Sequence, residues 1–417
     1  MARFLKRKPI RRTPYLLEVM AVAVLVASST TAHEISIVGD PIAGPGHSDG
    51  AMAPTDGKIL EFPAENVALL SWMTSEDLTR QPQQANDIWG YVSPSGREYA
   101  IVGLFSGTAF VEVTDPEHPK VVKFIGGPGS VWRDIAVYKQ YAYIVNETSG
   151  GVQVVDLRKI DRGKIRKRGS VTEQGLTTAH NISINEVSGY AYLSGTNLAN
   201  GGLVALDLSE PTKPKLESGS WSFFYVHDAL VISYTKGKNA GREIAFAFAA
   251  ESGVQIIDVT DNDNMVTVAN VRYPGLEYCH SGWVSRKNRF LFVNDELDEL
   301  HEADNDPANA TTQTYILNIK NLANARHVKT VSNGVTSIDH NNMARGIQLF
   351  AANYQSGFRV FNARWPKKLR EIGYLDTYPE ADAIDFAGAW GIFADYPSGI
   401  VVVSDINRGL FVFMPPD

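Results

Sequence analysis

A short apolar strand recurs seven times along this 417-residue chain, and it constrains the fold more than any other feature. It reads "FVEV" at 110–113, "VQVVDL" at 152–157, "LVALDL" at 203–208 and "VQIIDV" at 254–259. It returns as "YILNI" at 315–319, "FRVFN" at 358–362 and "LFVFM" at 410–414. Each copy is the third strand of a set, preceded by two strands joined by a turn and followed by a Pro-rich turn and a fourth strand. The first strands align as "WGYV" at 89, "RDIAV" at 133, "HNISI" at 180, "HDALV" at 227, "HSGWV" at 280, "HNNMA" at 340 and "WGIF" at 390.

Four strands repeating every ~40–50 residues are the signature of propeller blades. A blade is a small antiparallel sheet that cannot bury both faces alone, so blades stack around an axis and cover one another. Seven first strands predict an all-β, seven-bladed β-propeller of four-stranded blades. The last blade supplies only three strands before Asp417. The segment "NVALLSW" (66–72) resembles a fourth strand and is expected to complete it, closing the ring and removing free sheet edges. Residues 66–417 are thus assigned to the propeller, and the Gly/Pro-rich 33–65 to a mobile leader.

The first 32 residues read as an export signal. Arg3, Lys6, Arg7, Lys8, Arg11 and Arg12 precede the apolar "VMAVAVLVA" (19–27), and "SSTTA" ends in the small residues that signal peptidase requires. The apolar run is shorter than the about 20 residues of a membrane-spanning helix. The remaining chain carries 33 Lys and Arg against 45 Asp and Glu, a balance opposed to nucleic-acid binding. A single cysteine, Cys279, permits no internal disulfide, and a core of this size holds without one. The expectation is a monomer, secreted to the extracellular space or periplasm, with no transmembrane segment once the signal is removed.

Four stretches carry a family resemblance: "HNISINEVSGYAYLSGTN" (180–197), "CHSGWVSRKNRFLFVNDELDE" (279–299), "DHNNMARGIQLFAANYQSGFRVFN" (339–362) and "FAGAWGIFADYPSGIVVVSDINRGLFVF" (386–413). In these the chain resembles the LVIVD-repeat, choice-of-anchor B family. The resemblance implies an exported propeller, often held at the cell surface by a C-terminal anchor that differs between members. Here the sequence stops directly after its last strand, in "LFVFMPPD", and free secretion or periplasmic retention is expected instead.

First strands line the central channel of a propeller, so equivalent residues form a ring at one end. That ring is expected to be Trp89, Arg133, His180, His227, His280, His340 and Trp390, with the four histidines on consecutive blades. Two readings stand. A histidine at a strand mouth can simply pin a neighbouring loop by hydrogen bonding. Alternatively, imidazoles converging from an arc can hold Zn or Cu, each nitrogen at ~2.0–2.1 Å from the ion, or move protons. The loops between second and third strands should open at the same end. They bring Glu147, Asn197, Glu251, Asp295, Glu296, Tyr354 and Asp405 as ligand-binding residues or as partners that orient the imidazoles.

The acid-rich "NDELDELHEADNDPANATT" (294–312) offers the oxygen ligands that calcium takes, but it lacks the EF-hand spacing, and a flexible solvated lid governing access to the ring is favoured over a calcium site. Cys279 should face away from its neighbour His280, because successive strand residues point to opposite faces. Two function classes follow. One is a scaffold binding a protein, glycan or small molecule at the ring; the other is a metal-dependent hydrolase or oxidoreductase that uses the histidines.

Overall fold

The computed structural model describes residues 39–305, 310–381 and 383–417. The export signal expected over 1–32 lies outside them. Seven antiparallel sheets follow one another around a ring, six with their four blade strands consecutive in sequence from the axis outward and the seventh completed by a strand from the N-terminal side. The axial strands are Ala85–Val92, Arg133–Tyr138, Asn181–Asn185, Asp228–Ser233, Cys279–Val284, Asn341–Arg345 and Ala389–Phe393, of blades 1 to 7. Each packs against the next, and Ala389–Phe393 packs back against Ala85–Val92, so the ring is complete.

Stacking explains why the repeated third strand is apolar on both faces. In Val152–Lys159, Val154 joins the core between blades 2 and 3, whereas Val155 and Leu157 join the core between blades 1 and 2. A sheet covered on both sides needs no polar face, so the alternation expected of a half-exposed strand is lost there. It returns in the outermost strands, such as Lys120–Gly126, where most side chains are exposed. The basic stretch 158–168 likewise lies at the rim, with Arg158 and Arg168 both bound to the Asp156 carboxylate.

The missing fourth strand of blade 7 comes from the N-terminal side. Ala68–Met73 pairs antiparallel with Gly409–Met414, placing Leu69 opposite Phe413 and Trp72 opposite Phe411. The Trp72 indole Nε1–H also donates to Arg408 O at 2.7 Å.

The leader, expected to be mobile over 33–65, is instead built into the ring through much of its length. Phe62–Glu65 adds a strand to the outer edge of blade 6, with Ala64 opposite Leu375, and Lys58–Ile59 pairs in turn with it. Single bridges join Met52 to Leu69 and His47 to Trp72, covering the edge of the closing strand. The reason lies in a few apolar side chains within the Gly/Pro-rich stretch. Ile59 and Phe62 are buried, and Phe62 packs edge-on against both Trp72 and Phe411.

Closure makes a quantitative expectation. Leu69 is fully buried in the shared core, so Leu69→Ala should lower stability by about 2–5 kcal/mol in chemical denaturation. Val121→Ala, on an exposed outer strand, should change it by no more than about 0.5 kcal/mol.

Candidate functional site

The four histidines are brought together at one mouth of the channel, as an overlapping staircase. Ring centroids lie 4.0 Å apart for His180 and His227, 4.1 Å for His227 and His280, and 4.4 Å for His280 and His340. The last three are buried, and each reaches the backbone of the following blade. His227 Nδ1 bonds His280 O at 3.2 Å, His280 Nδ1 bonds His340 O at 3.2 Å, and His340 Nδ1 bonds Trp390 O at 2.7 Å. A carbonyl oxygen only accepts, so each Nδ1 carries the proton and each Nε2 presents a lone pair. The hydrogen bonds therefore pin the blades together and select the ligating tautomer at once.

Glu296 faces two of those lone pairs. His280 Nε2 lies 3.6 Å from Glu296 Oε2, and His340 Nε2 lies 3.6 Å from Oε1. The Tyr354 hydroxyl donates to Oε1 at 2.6 Å, while Oε2 is buried with no hydrogen-bond partner. Ligand atoms of His227, His280 and Glu296 all fall within 4.8 Å of one another. Pairs of ligands around a tetrahedral Zn ion stand about 3.3 Å apart, so a small inward movement would complete a two-histidine, one-carboxylate site with an open position. The cavity beside the arc measures 30 Å³, room for roughly one water molecule.

Burial sets the protonation states. It pulls His227 and His280 well below the ordinary histidine range, helped by the neighbouring imidazoles, and lowers His340 to about 3. It also pushes Glu296 up to about 7. His180 differs. Burial opposes its charge, but the Glu147 carboxylate, whose Oε1 is 2.6 Å from His180 Nδ1, outweighs that and raises the pKa. His180 belongs to an ion pair at the edge of the arc, and the metal-competent geometry lies in its three successors.

Of the other expected ring positions, Arg133 and Trp390 line the histidine cavity and Trp89 does not. Trp89 is not at the histidine end. Asp87 lines the histidine cavity instead, and Trp89 lines a 690 Å³ cavity at the opposite mouth, against Phe393 at 5.2 Å. The aligned "WGYV" and "WGIF" motifs are out of register by three residues, because the ring slot of blade 1 falls on Asn86, just before Asp87. Arg133 does line the cavity, but its guanidinium is spent on backbone carbonyls, with Nε donating to Leu104 O at 3.1 Å. Trp390 contributes an indole wall 4.8 Å from the His340 ring, and its carbonyl fixes His340.

Among the loop residues, Glu147, Glu296 and Tyr354 reach the histidines. Asp295 turns the other way and accepts from Tyr278 N at 2.6 Å and Tyr273 Oη at 2.8 Å. Asp405 clamps a turn through the amides of Asn407 and Arg408. Asn197 accepts from the Thr177 and Thr178 amides, and Glu251 is exposed; neither joins the cluster.

The acidic segment is not a solvated lid. Asp298–Asn305 is a helix, Asp298 and Glu299 are buried, and Leu297 and Leu300 pack on the Tyr354, Trp390 and Ile406 cluster. Two leucines three apart anchor a stretch whose acids dominated the sequence reading. The described part of the segment packs beside Tyr354 and Trp390, the two aromatic rings that touch His340.

Also unanticipated is a ring of acids one residue deeper, Asp87, Asp134 and Asp228, shared by the histidine cavity and a 300 Å³ cavity below it. Burial, then the Asp134 charge, raises Asp228 to about 8 and Asp87 well above the carboxylate range. The signal was visible as the Asp of "NDIWG", "RDIAV" and "HDALV".

No family model and no curated protein matches this chain. Among solved structures, a Lactobacillus plantarum protein superposes with a TM-score of 0.53 at 13% identity, covering 77% of this chain and 88% of its own. The periplasmic gluconolactonase PpgL of Pseudomonas aeruginosa gives 0.51 at 13% identity, covering 79% and 91% respectively. Similarity at this identity defines the class, a seven-bladed β-propeller, by fold alone.

Two outcomes test the site's chemistry. Glu147 holds His180 protonated, and a raised histidine pKa stabilises below the unfolded value of about 6.5 and is lost as pH rises through the folded value. Glu147→Gln should therefore cost about 1–3 kcal/mol at pH 5.5 and clearly less at pH 9, read by thermal unfolding at both. Cys279 is fully buried and burial pushes its thiol upward, so it should resist a thiol-specific reagent until the protein is denatured.

Proposed function

We propose that this is an exported LVIVD-repeat propeller whose function is to bind a transition metal, zinc foremost, at one mouth of its channel. The ligands are His227, His280 and Glu296, with His340 beside them as a fourth donor. The observation that supports the reading is the gathering of one ligand atom each from His227, His280 and Glu296 within 4.8 Å, with His280 Nε2 facing a buried Glu296 oxygen that has no hydrogen-bond partner among the described residues. Three protein ligands and an open position are the arrangement of zinc sites that activate water, which supports the hydrolytic alternative over the redox one.

The residues divide the work physically. The backbone carbonyls of blades 5, 6 and 7 hold the imidazoles in the ligating tautomer, and Tyr354 orients Glu296. The site is buried and its cavity has room for roughly one water molecule, so a ligand reaching it must be small or must displace what covers it. The proposed export rests on the basic and apolar segments of residues 1–32.

Full-length protein purified without chelator or histidine tag should carry close to one zinc per chain by elemental analysis. His227→Ala with His280→Ala should abolish it, and Tyr354→Phe should weaken zinc affinity by about 10-fold or more. Parent protein that holds no transition metal and takes up none when zinc is added would overturn the reading.

A further inference from the structure

We infer that a second cation site, for calcium, lies beside the histidine arc, formed by the carboxylates of Asp298, Glu299 and Asp339. One oxygen from each falls within 4.8 Å of the other two. The three residues are at most 1% exposed. Among the described residues, no Lys, Arg or His forms an ion pair with any of them within 4.0 Å.

The hydrogen bonding points to a missing ligand, independently of the clustering. Each acid has one oxygen served by an amide or hydroxyl donor and one without such a donor. The Tyr315 hydroxyl donates to Asp298 Oδ2 at 2.6 Å, the Asp339 amide to Glu299 Oε1 at 3.3 Å, and Asn294 Nδ2 to Asp339 Oδ2. Asp298 Oδ1, Glu299 Oε2 and Asp339 Oδ1 are buried and, among the described residues, have no hydrogen-bond donor from outside the three acids. A carboxylate removed from water needs a counter-charge, donors for both oxygens or a shared proton; Glu299 lies within hydrogen-bonding reach of both Asp298 and Asp339, so the three either share protons or share a cation in their place. An all-oxygen, multiply charged set suits a hard divalent cation. Calcium, with long and flexible coordination, fits carboxylates that stand several ångströms apart better than magnesium does.

The placement gives the cation a structural consequence. Asp298 and Glu299 follow Glu296 by two and three residues, and Asp339 directly precedes His340. Calcium would therefore tie the helix Asp298–Asn305 to the first strand of blade 6, fixing the backbone that presents Glu296 and His340. The inference stands on its own donor set and does not require that the histidine arc hold zinc.

The test uses the full chain, stripped with a chelator and dialysed. Adding calcium chloride at 1 mM should raise the melting temperature by several degrees, as expected for a ligand well above its Kd. Terbium substituted for calcium should show emission sensitised by Tyr315, displaced by calcium. Elemental analysis should find about one calcium per chain, counted separately from zinc. Asp298→Asn with Asp339→Asn should weaken calcium binding at least 10-fold while the parent's zinc content, if present, reports the other site. The inference is overturned if calcium leaves the parent's melting temperature and the terbium signal unchanged, if magnesium alone stabilises it, or if the double variant binds calcium like the parent. Should that variant fail to fold, the calcium response of the stripped parent decides.

Discussion

Every other feature of this molecule depends on the pairing of Ala68–Met73 with Gly409–Met414. Each blade buries its two faces only against neighbours, so an open array would leave two apolar sheet faces in water. Pairing the ends of the chain inside one sheet removes both at once. The closing strand is itself covered, through the bridges from His47 and Met52 and the two short strands before it. Closure also fixes the channel, because seven axial strands converge only in a completed ring. The precision of the histidine arc, with ring spacings of 4.0 to 4.4 Å, follows from that geometry.

The mouth of the channel combines two demands that usually conflict. Backbone carbonyls of one blade are satisfied by imidazoles of the blade before, which is a structural duty. The same bonds leave Nε2 free in a dry space, which is the preparation a metal ligand needs. The two readings of the histidines offered by the sequence are thus compatible: one nitrogen of each ring pins a blade while the other stays available. Burial reinforces this, since it disfavours the charged imidazolium that could not ligate.

The blade count, the strand order and the strand that closes the ring were legible because periodicity is a property of the whole chain. A misaligned copy does not hide a pattern repeated seven times. Alignment of the first strands by their place in the repeat misses blade 1 by three residues: it puts Trp89 in the ring slot, whereas the channel matches Asp87 to Asp134 and Asp228. The site was legible in part. His227, His280, His340 and Glu296 come from repeat position and loop position, but Asp295 and Glu296 are adjacent and only coordinates tell which one faces the axis. The packing of the acidic segment is hidden in sequence because it rests on Leu297 and Leu300, two apolar residues among many acids. A run of carboxylates reads as solvated in sequence, and nothing in it reports that a helix will turn two of them inward.

Joining residues 68–73 to 409–414 also sets the order of events in folding. Contacts that span more than three hundred residues cannot form until nearly the whole chain is available, and such non-local closure is slow. Every shorter intermediate has an unfinished seventh blade, a bare sixth-to-seventh interface and an incomplete axis. Blades 2 to 5 can pack locally, but the mouth that gathers residues from blades 2 to 7 is assembled last. The full arc, from His180 to the Trp390 carbonyl that fixes His340, is therefore coupled to closure, because the strand that begins the ring is the one that finishes it.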